Sequence, residues 1–293
     1  MLVLALPDAA ATGSRIAAHL EAGFATIDIH RFPDGEQRVR IDADLAGQPV
    51  VFAAALDRPD AKVLPLLFAA DLARELGATR VGLVAPYLPF MRQDTRFRPG
   101  EAISARSFAR LLSRSFDFLA TAEPHLHRLH ELREVFDVPA RAVSAAAPMA
   151  QWIRNNVPDP VIVGPDEESL QWVRRIAALL DAPYAVMRKV RAGDRDVAVS
   201  APEPAVEGGT PVLVDDIVST GRTIVAAAQL LRASGLAAHT CVCVHALMDA
   251  DALRVLDAAG IRIASCDSVP HASNVISLAP VLAEAVRELN DSP

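Results

Sequence analysis

Residues 215–223 read Asp-Asp-Ile-Val-Ser-Thr-Gly-Arg-Thr and follow directly on the apolar run Val212–Val214. Small hydroxyl residues and a glycine at the start of a helix gather several backbone N–H groups around one point. The positive end of the helix dipole stands behind them, so Ser219, Thr220, Gly221, Arg222 and Thr223 form an anion nest. The three hydroxyls add donors for phosphate oxygens. Asp215 and Asp216 suit the vicinal hydroxyls of a ribose, directly or through a divalent cation. The two aspartates are expected to emerge at the end of the strand, and the helix to begin near Ile224. A capped helix after a strand shares part of this pattern. A buried strand, an acidic pair and an STGRT turn in this order favour the seat of a phosphorylated sugar. No GxxxxGK[ST] occurs, which excludes a Walker loop.

Basic residues are the second signal. Only Lys62 and Lys189 among 29 basic residues are lysine, the rest being arginine. A lysine kept where arginine is the rule points to a need for a compact ammonium; for Lys62 alone, chance is the simpler reading. Lys189 and Arg191 stand two apart, beside the polar AGDRD stretch, and in an extended segment they would share one face. Cys241, Cys243 and Cys266 lie in or near apolar runs without zinc or redox spacing, and are expected to be buried, reduced thiols.

These residues need a frame. Short apolar runs alternate with helical patterns along the whole chain: 50–56 before 62–78, 80–87 before 101–116, then 117–125; in the second half 160–166, 210–216 and 239–247 each precede a helix, and 261–269 closes the set. Apolar strands spaced by helices indicate parallel sheets covered on both faces. The expected fold is α/β, with two similar doubly wound parallel-sheet domains divided near 141–150 into residues 1–143 and 144–293. The amphipathic pattern in SLAPVLAEAVREL is expected to pack back on a domain or at a subunit contact, with the terminal NDSP frayed. Trp152 and Trp172 fall on helical patterns as packing residues. In such sheets ligands sit at the carboxyl ends of the strands, where the polar loops fall.

The net charge of −7 argues against nonspecific nucleic-acid binding. No apolar run reaches the length of a membrane span. The first residues, MLVLALPDAAATGSR, carry no basic segment ahead of their apolar run and read as a first strand, not a signal peptide. A cytoplasmic location is the expectation.

Six segments carry a family resemblance. The 215–223 loop resembles the phosphoribosyl-diphosphate (PRPP) motif of type I phosphoribosyltransferases and of ribose-phosphate diphosphokinases, the PRPP synthetases. HRFPDGEQRVRI (30–41), APYLPFMRQD (85–94), EAISARSFARLL (101–112), EPHLHRLHELREVFDVP (123–139) and RKVRAGDR (188–195) resemble PRPP synthetase segments and stand in the family's order. The resemblance implies a duplicated type I phosphoribosyltransferase-like fold. It also implies transfer of the β,γ-diphosphoryl group of ATP to the 1-hydroxyl of ribose 5-phosphate, giving PRPP and AMP.

Residue by residue, the resemblance gives Lys189 and Arg191 to the transition state. Phe32, Asp34, Glu36, Arg92, Gln93 and Asp94 go to ATP, and Asp215–Thr223 to ribose 5-phosphate. Glu123, His125 and Asp166 go to Mg²⁺, with His127 and His130 peripheral. It implies a homo-oligomer (dimer, tetramer or hexamer) whose sites are shared through the FPDGE segment. The chain departs from the family pattern at Phe90, where a tyrosine is usual, and at Glu123, where an aspartate is usual. It departs again at Glu167, Glu168 and Ser169, where small residues and glycines are usual; the closest departures from family geometry are expected there. Two other readings stand beside the synthetase: a phosphoribosyltransferase that uses PRPP, and a silent homologue that binds nucleotide or sugar phosphate without turnover.

Overall fold

The computed structural model describes residues 1–126, 128–129, 131–187, 189–191, 197–199 and 208–292. His127, His130, the AGDRD stretch and Pro293 lie outside the described residues. The chain divides into two compact units: Met1–Ser144 with Ser268–Pro270 and Leu278–Pro293, and Ala145–Asp267 with His271–Ser277.

The first unit runs β1 (Leu2–Ala5), α1 (Ala10–Leu20), β2 (Gly23–Thr26), β3 (Asp28–Arg31), β4 (Gln37–Arg40), β5 (Pro49–Ala53), α2 (Val63–Glu75), β6 (Arg80–Val84), α3 (Ser104–Ser115), β7 (Phe118–Ala122) and β8 (Ala140–Val143). The second runs α4 (Ala146–Asn156), β9 (Pro160–Gly164), α5 (Leu170–Leu180), β10 (Tyr184–Val186), β11 (Lys189–Arg191), β12 (Val197–Val199), β13 (Thr210–Val218), α6 (Arg222–Ala233), β14 (Thr240–Ala246), α7 (Ala250–Ala258), β15 (Arg262–Cys266) and β16 (Asn274–Ile276). The last helix, α8 (Ala279–Asp291), belongs to the first unit.

Each unit is built on one six-stranded sheet, in the order β2-β1-β5-β6-β7-β8 and β10-β9-β13-β14-β15-β16. Every ladder in both sheets is parallel. Counted along the chain, both sheets have the same topology: the second strand lies at one edge, the first beside it, and the other four follow in sequence. Both units also place a two-stranded antiparallel ribbon between the second and third strands of the sheet, β3–β4 in one and β11–β12 in the other. The FPDGE and Lys189 segments are therefore topological counterparts. This bears out the α/β reading and its two similar doubly wound halves.

The central strands are apolar throughout because helices cover both faces. Val50, Val51, Phe52, Val81, Leu83 and Val84 are all fully buried. A Cβ on Gly82 would lie 2.1 Å from the Phe118 ring opposite it, so the glycine is the space that ring occupies. Helix α8 buries Leu282, Ala283, Val286 and Leu289 within the first unit. Its end is not frayed: Asn290 and Asp291 complete the helix, and Arg80 donates to the carbonyls of Asn290 (2.8 Å) and Ser292 (2.6 Å). No described helix is long and apolar enough to cross a membrane.

Lys62 is not incidental. Its ammonium meets Asp8 at 2.5 Å, Asp57 at 2.6 Å and the Ala55 carbonyl at 2.9 Å, with the side chain largely buried. Asp8 follows β1 and Asp57 follows β5, two adjacent strands, so Lys62 ties the loops at their carboxyl ends. Three converging acceptors match the three donors of an ammonium and not the planar fork of a guanidinium. We expect Lys62→Met to cost about 1–3 kcal/mol in thermal unfolding, by leaving two carboxylates without their cation. Lys62→Arg should restore little of that loss.

Candidate active site

Strand β13 does not stop at the aspartates. It continues through Ile217 and Val218, which are buried and pair with His245 and Ala246 of β14. Asp215 and Asp216 therefore sit inside the strand, with Asp215 opposite Cys243. Gly221, at φ +70°, turns the chain, and α6 begins at Arg222. Ser219 is half-buried, while Thr220, Arg222 and Thr223 are exposed at the turn.

Placing acids in the strand buries them. Asp216 is buried, and its N–H donates to Asp215 Oδ1 at 3.0 Å. Burial raises the Asp215 carboxyl well above the ordinary range, and the charges of Asp216 and Asp166 raise it further. Burial likewise pushes the Cys241 and Cys243 thiols up, with the negative charge of Asp215 adding to it. Both thiols are protonated at neutral pH and serve as floor beneath the acids.

The structure thus brings Asp166, predicted as a ligand, into the field of the acidic pair. The GPDEES turn tolerates its bulky residues by facing them outward. Glu167 and Glu168 are exposed, and Ser169 tucks beneath, its hydroxyl donating to the Asp166 carbonyl at 2.5 Å. Asp166 accepts the Glu168 N–H at 3.1 Å. A Cβ on Gly164 would lie 2.1 Å from the Ser169 hydroxyl, so this turn requires glycine at the strand end. The side chains of Lys189 and Arg191 lie outside the description. Their ribbon lies against α6, the helix that the 219–223 turn opens.

The other predicted residues belong to the first unit. Phe32, Asp34 and Glu36 form a hairpin tip. Phe32 N–H donates to Glu36 O (2.8 Å), Asp34 Oδ1 accepts the Glu36 N–H (3.0 Å), and Gly35 takes φ +95°. The Phe32 ring meets His30 edge-on at 4.7 Å and remains 41% exposed, enough to stack on a planar ligand. In the 90–94 segment Arg92 is exposed and Gln93 half-buried, its amide donating to Thr95 O (3.3 Å) and Ala102 O (3.4 Å). Asp94 differs from its neighbours. It is buried and accepts both the backbone N–H and the guanidinium of Arg128 at 3.1 Å, so it braces the 123–131 segment. Arg128 is a partner that sequence reasoning missed, because 34 residues separate the two.

Glu123 (φ +34°) is also buried, and its carboxylate accepts the Ser144 hydroxyl at 2.7 Å. His125 is half-buried two residues on. Among the described residues no group of three or more His, Cys, Asp or Glu side chains is placed to hold a metal ion.

Two family models match the chain. Residues 1–115 match the N-terminal domain of ribose phosphate pyrophosphokinase, and residues 132–279 match the phosphoribosyl transferase domain. The chain is 39% identical to the ribose-phosphate pyrophosphokinase of Methanopyrus kandleri, over 99% of this chain and 100% of that one. It is 34% identical to the corresponding protein of Methanothermobacter thermautotrophicus, over 93% and 95%. The fold is similar to the crystal structure of phosphoribosylpyrophosphate synthetase from Mycobacterium smegmatis, with TM-score 0.83 and 25% identity over 99% of both chains.

The raised carboxyl of Asp215 has a consequence for stability. A carboxyl whose folded pKa lies above its unfolded value holds its proton more tightly when folded. Its stabilising contribution is complete below the unfolded pKa and is lost as pH rises through the folded one. We therefore expect Asp215→Asn to unfold at higher temperature than the parent at neutral pH without ligands, by on the order of 1 kcal/mol. The two melting curves should converge at acid pH.

Proposed function

The chain belongs to the ribose-phosphate pyrophosphokinase family, and on that premise we propose how its residues divide the work of transferring a diphosphoryl group from ATP to ribose 5-phosphate, giving PRPP and AMP. The observation that carries the reading is an acidic pair in strand β13, Asp216 buried and Asp215 half-buried, followed by a turn that opens helix α6. Asp215 and Asp216 take the ribose hydroxyls, and the turn Ser219–Thr223 takes the 5-phosphate through backbone N–H groups and hydroxyls. This holds the 1-hydroxyl in one orientation for in-line attack on the β-phosphorus, and positioning of this kind supplies much of the rate in phosphoryl transfer.

Lys189 and Arg191 supply fixed cations to the phosphate oxygens as charge develops. What supports them is their place on the ribbon against α6, together with the near absence of other lysines. ATP is assigned to Arg92 and Gln93, with Phe32, Asp34 and Glu36 meeting the base. Asp94 acts at one remove by holding Arg128. Mg²⁺ is assigned to Asp166 with the acidic pair, and to His125 with Glu123. When bound it would offset phosphate charge; the carboxylate oxygens of Asp166, Asp215, Asp216 and Glu123 are donors of the kind this hard cation takes. The exposed Phe32 supports a homo-oligomer in which each FPDGE hairpin serves a neighbouring subunit's site. Three buried cysteines, none in a disulfide, support a cytoplasmic location.

Purified protein with Mg²⁺, ATP and ribose 5-phosphate should release AMP and PRPP in equal amounts. Saturable binding of both substrates without AMP would overturn the assignment of a working active site. Lys189→Ala should lower kcat by about 10²–10³ while leaving the KM for ribose 5-phosphate nearly unchanged. Near-normal turnover in that variant would remove Lys189 from the mechanism.

A further inference from the structure

The phosphate turn rests on a residue from another element. A Cβ on Gly221 would lie 2.8 Å from Leu256 Cγ, 3.0 Å from its Cδ1 and 3.1 Å from its Cδ2. The backbone of the turn, at its one left-handed residue, is therefore seated directly on the Leu256 side chain. Leu256 is 1% exposed and lies near the end of α7. The start of that helix is fixed independently. Asp249 caps it by accepting the Ala252 N–H at 2.9 Å, and the strand ends before turn and helix are joined by Leu247 N–H to Val218 O at 2.9 Å. Ser219, Thr220 and Arg222 of the turn face Asp249, Ala252 and Val255 of the helix region across a cavity of about 280 Å³.

We propose that Leu256 is a positioning residue for ribose 5-phosphate: through its contact with Gly221 it sets the height of the 219–223 turn, and so the direction of the N–H groups that meet the phosphate. The proposal rests on the assignment of that turn to ribose 5-phosphate. The argument is steric. Gly221 needs glycine twice over, for its positive φ and for the absence of a Cβ against Leu256. A close-packed contact of this kind transmits displacement instead of absorbing it. Removing the isobutyl group leaves the turn without a floor on that side, while Ala250–Ala258 keeps its cap. Leu256 touches no substrate; its effect passes through Gly221.

Initial-rate kinetics on the full-length protein test this. Leu256→Ala should raise the KM for ribose 5-phosphate by about ten- to a hundredfold, as small misplacements of a binding group do, with the KM for ATP within about twofold. Leu256→Met, which fills the same space, should recover most of the loss. Because both residues act through one contact, adding Leu256→Ala to Gly221→Ala should cost much less than it does alone. A general packing role would instead move the two KM values in proportion and add to Gly221→Ala, whatever loss of melting temperature the truncation of a buried leucine brings; that result overturns the proposal. Thr223→Val and Asp215→Asn serve as the reference. If they raise the KM for ribose 5-phosphate and Leu256→Ala does not, Leu256 has no positioning role. If none of the three changes it, the turn itself is misassigned.

Discussion

Carboxylates brought together at a strand against their own repulsion, Asp216 buried and Asp215 and Asp166 half-buried, are the constraint around which the second unit is organised. Burying an ionised carboxyl is costly unless something neutralises or hydrogen-bonds it. Asp215 has a backbone N–H at 3.0 Å, and Asp216 and Asp166 oppose its ionisation. In the proposed reading the cluster is a receptor for a cation and a pair of sugar hydroxyls, whose binding offsets that repulsion. The apolar floor of Cys241 and Cys243, the extra pairs Ile217–His245 and Val218–Ala246, and the Gly221 turn all hold that cluster beside a helix N-terminus.

The repeated topology shows how one architecture was put to two uses. Both units place a ribbon after the second strand of the sheet. In the first it presents an exposed phenylalanine beside turn carboxylates; in the second it carries Lys189 and Arg191. An aromatic tip suits a flat base, and a cationic ribbon suits phosphate. The two units differ least in their sheets and most in the loops at the sheet edges, as expected when a rigid scaffold carries its function on its connections.

Much of this was legible in the sequence because it depends on local order. The alternation of apolar runs with helical patterns gave the α/β class. Val212–Thr223 gave strand, acid pair and turn within a single stretch. What was not legible depends on distant partners. The strand runs past Asp216 because β14 offers two more pairs, and nothing between 215 and 218 announces that. Lys62 reads as chance until Asp8 and Asp57 are found around it. The Asp94–Arg128 pair joins two separate loops and is invisible in the sequence. Glu167 and Glu168 look obstructive in sequence because only the fold shows that they face outward and that Ser169 lies beneath.

The central claim is that the Asp215 cluster is the ribose 5-phosphate seat. It is tested most directly by counting protons when that ligand binds. Calorimetric titration of ribose 5-phosphate with Mg²⁺, at mildly acidic pH in buffers of different ionisation heat, gives the number. The account predicts that the parent releases more protons than Asp215→Asn, because a cation and hydroxyls at the site offset the burial and like charge that raise this carboxyl; the phosphate's own second ionisation, at about 6, is common to both proteins. Equal release from the two would contradict it.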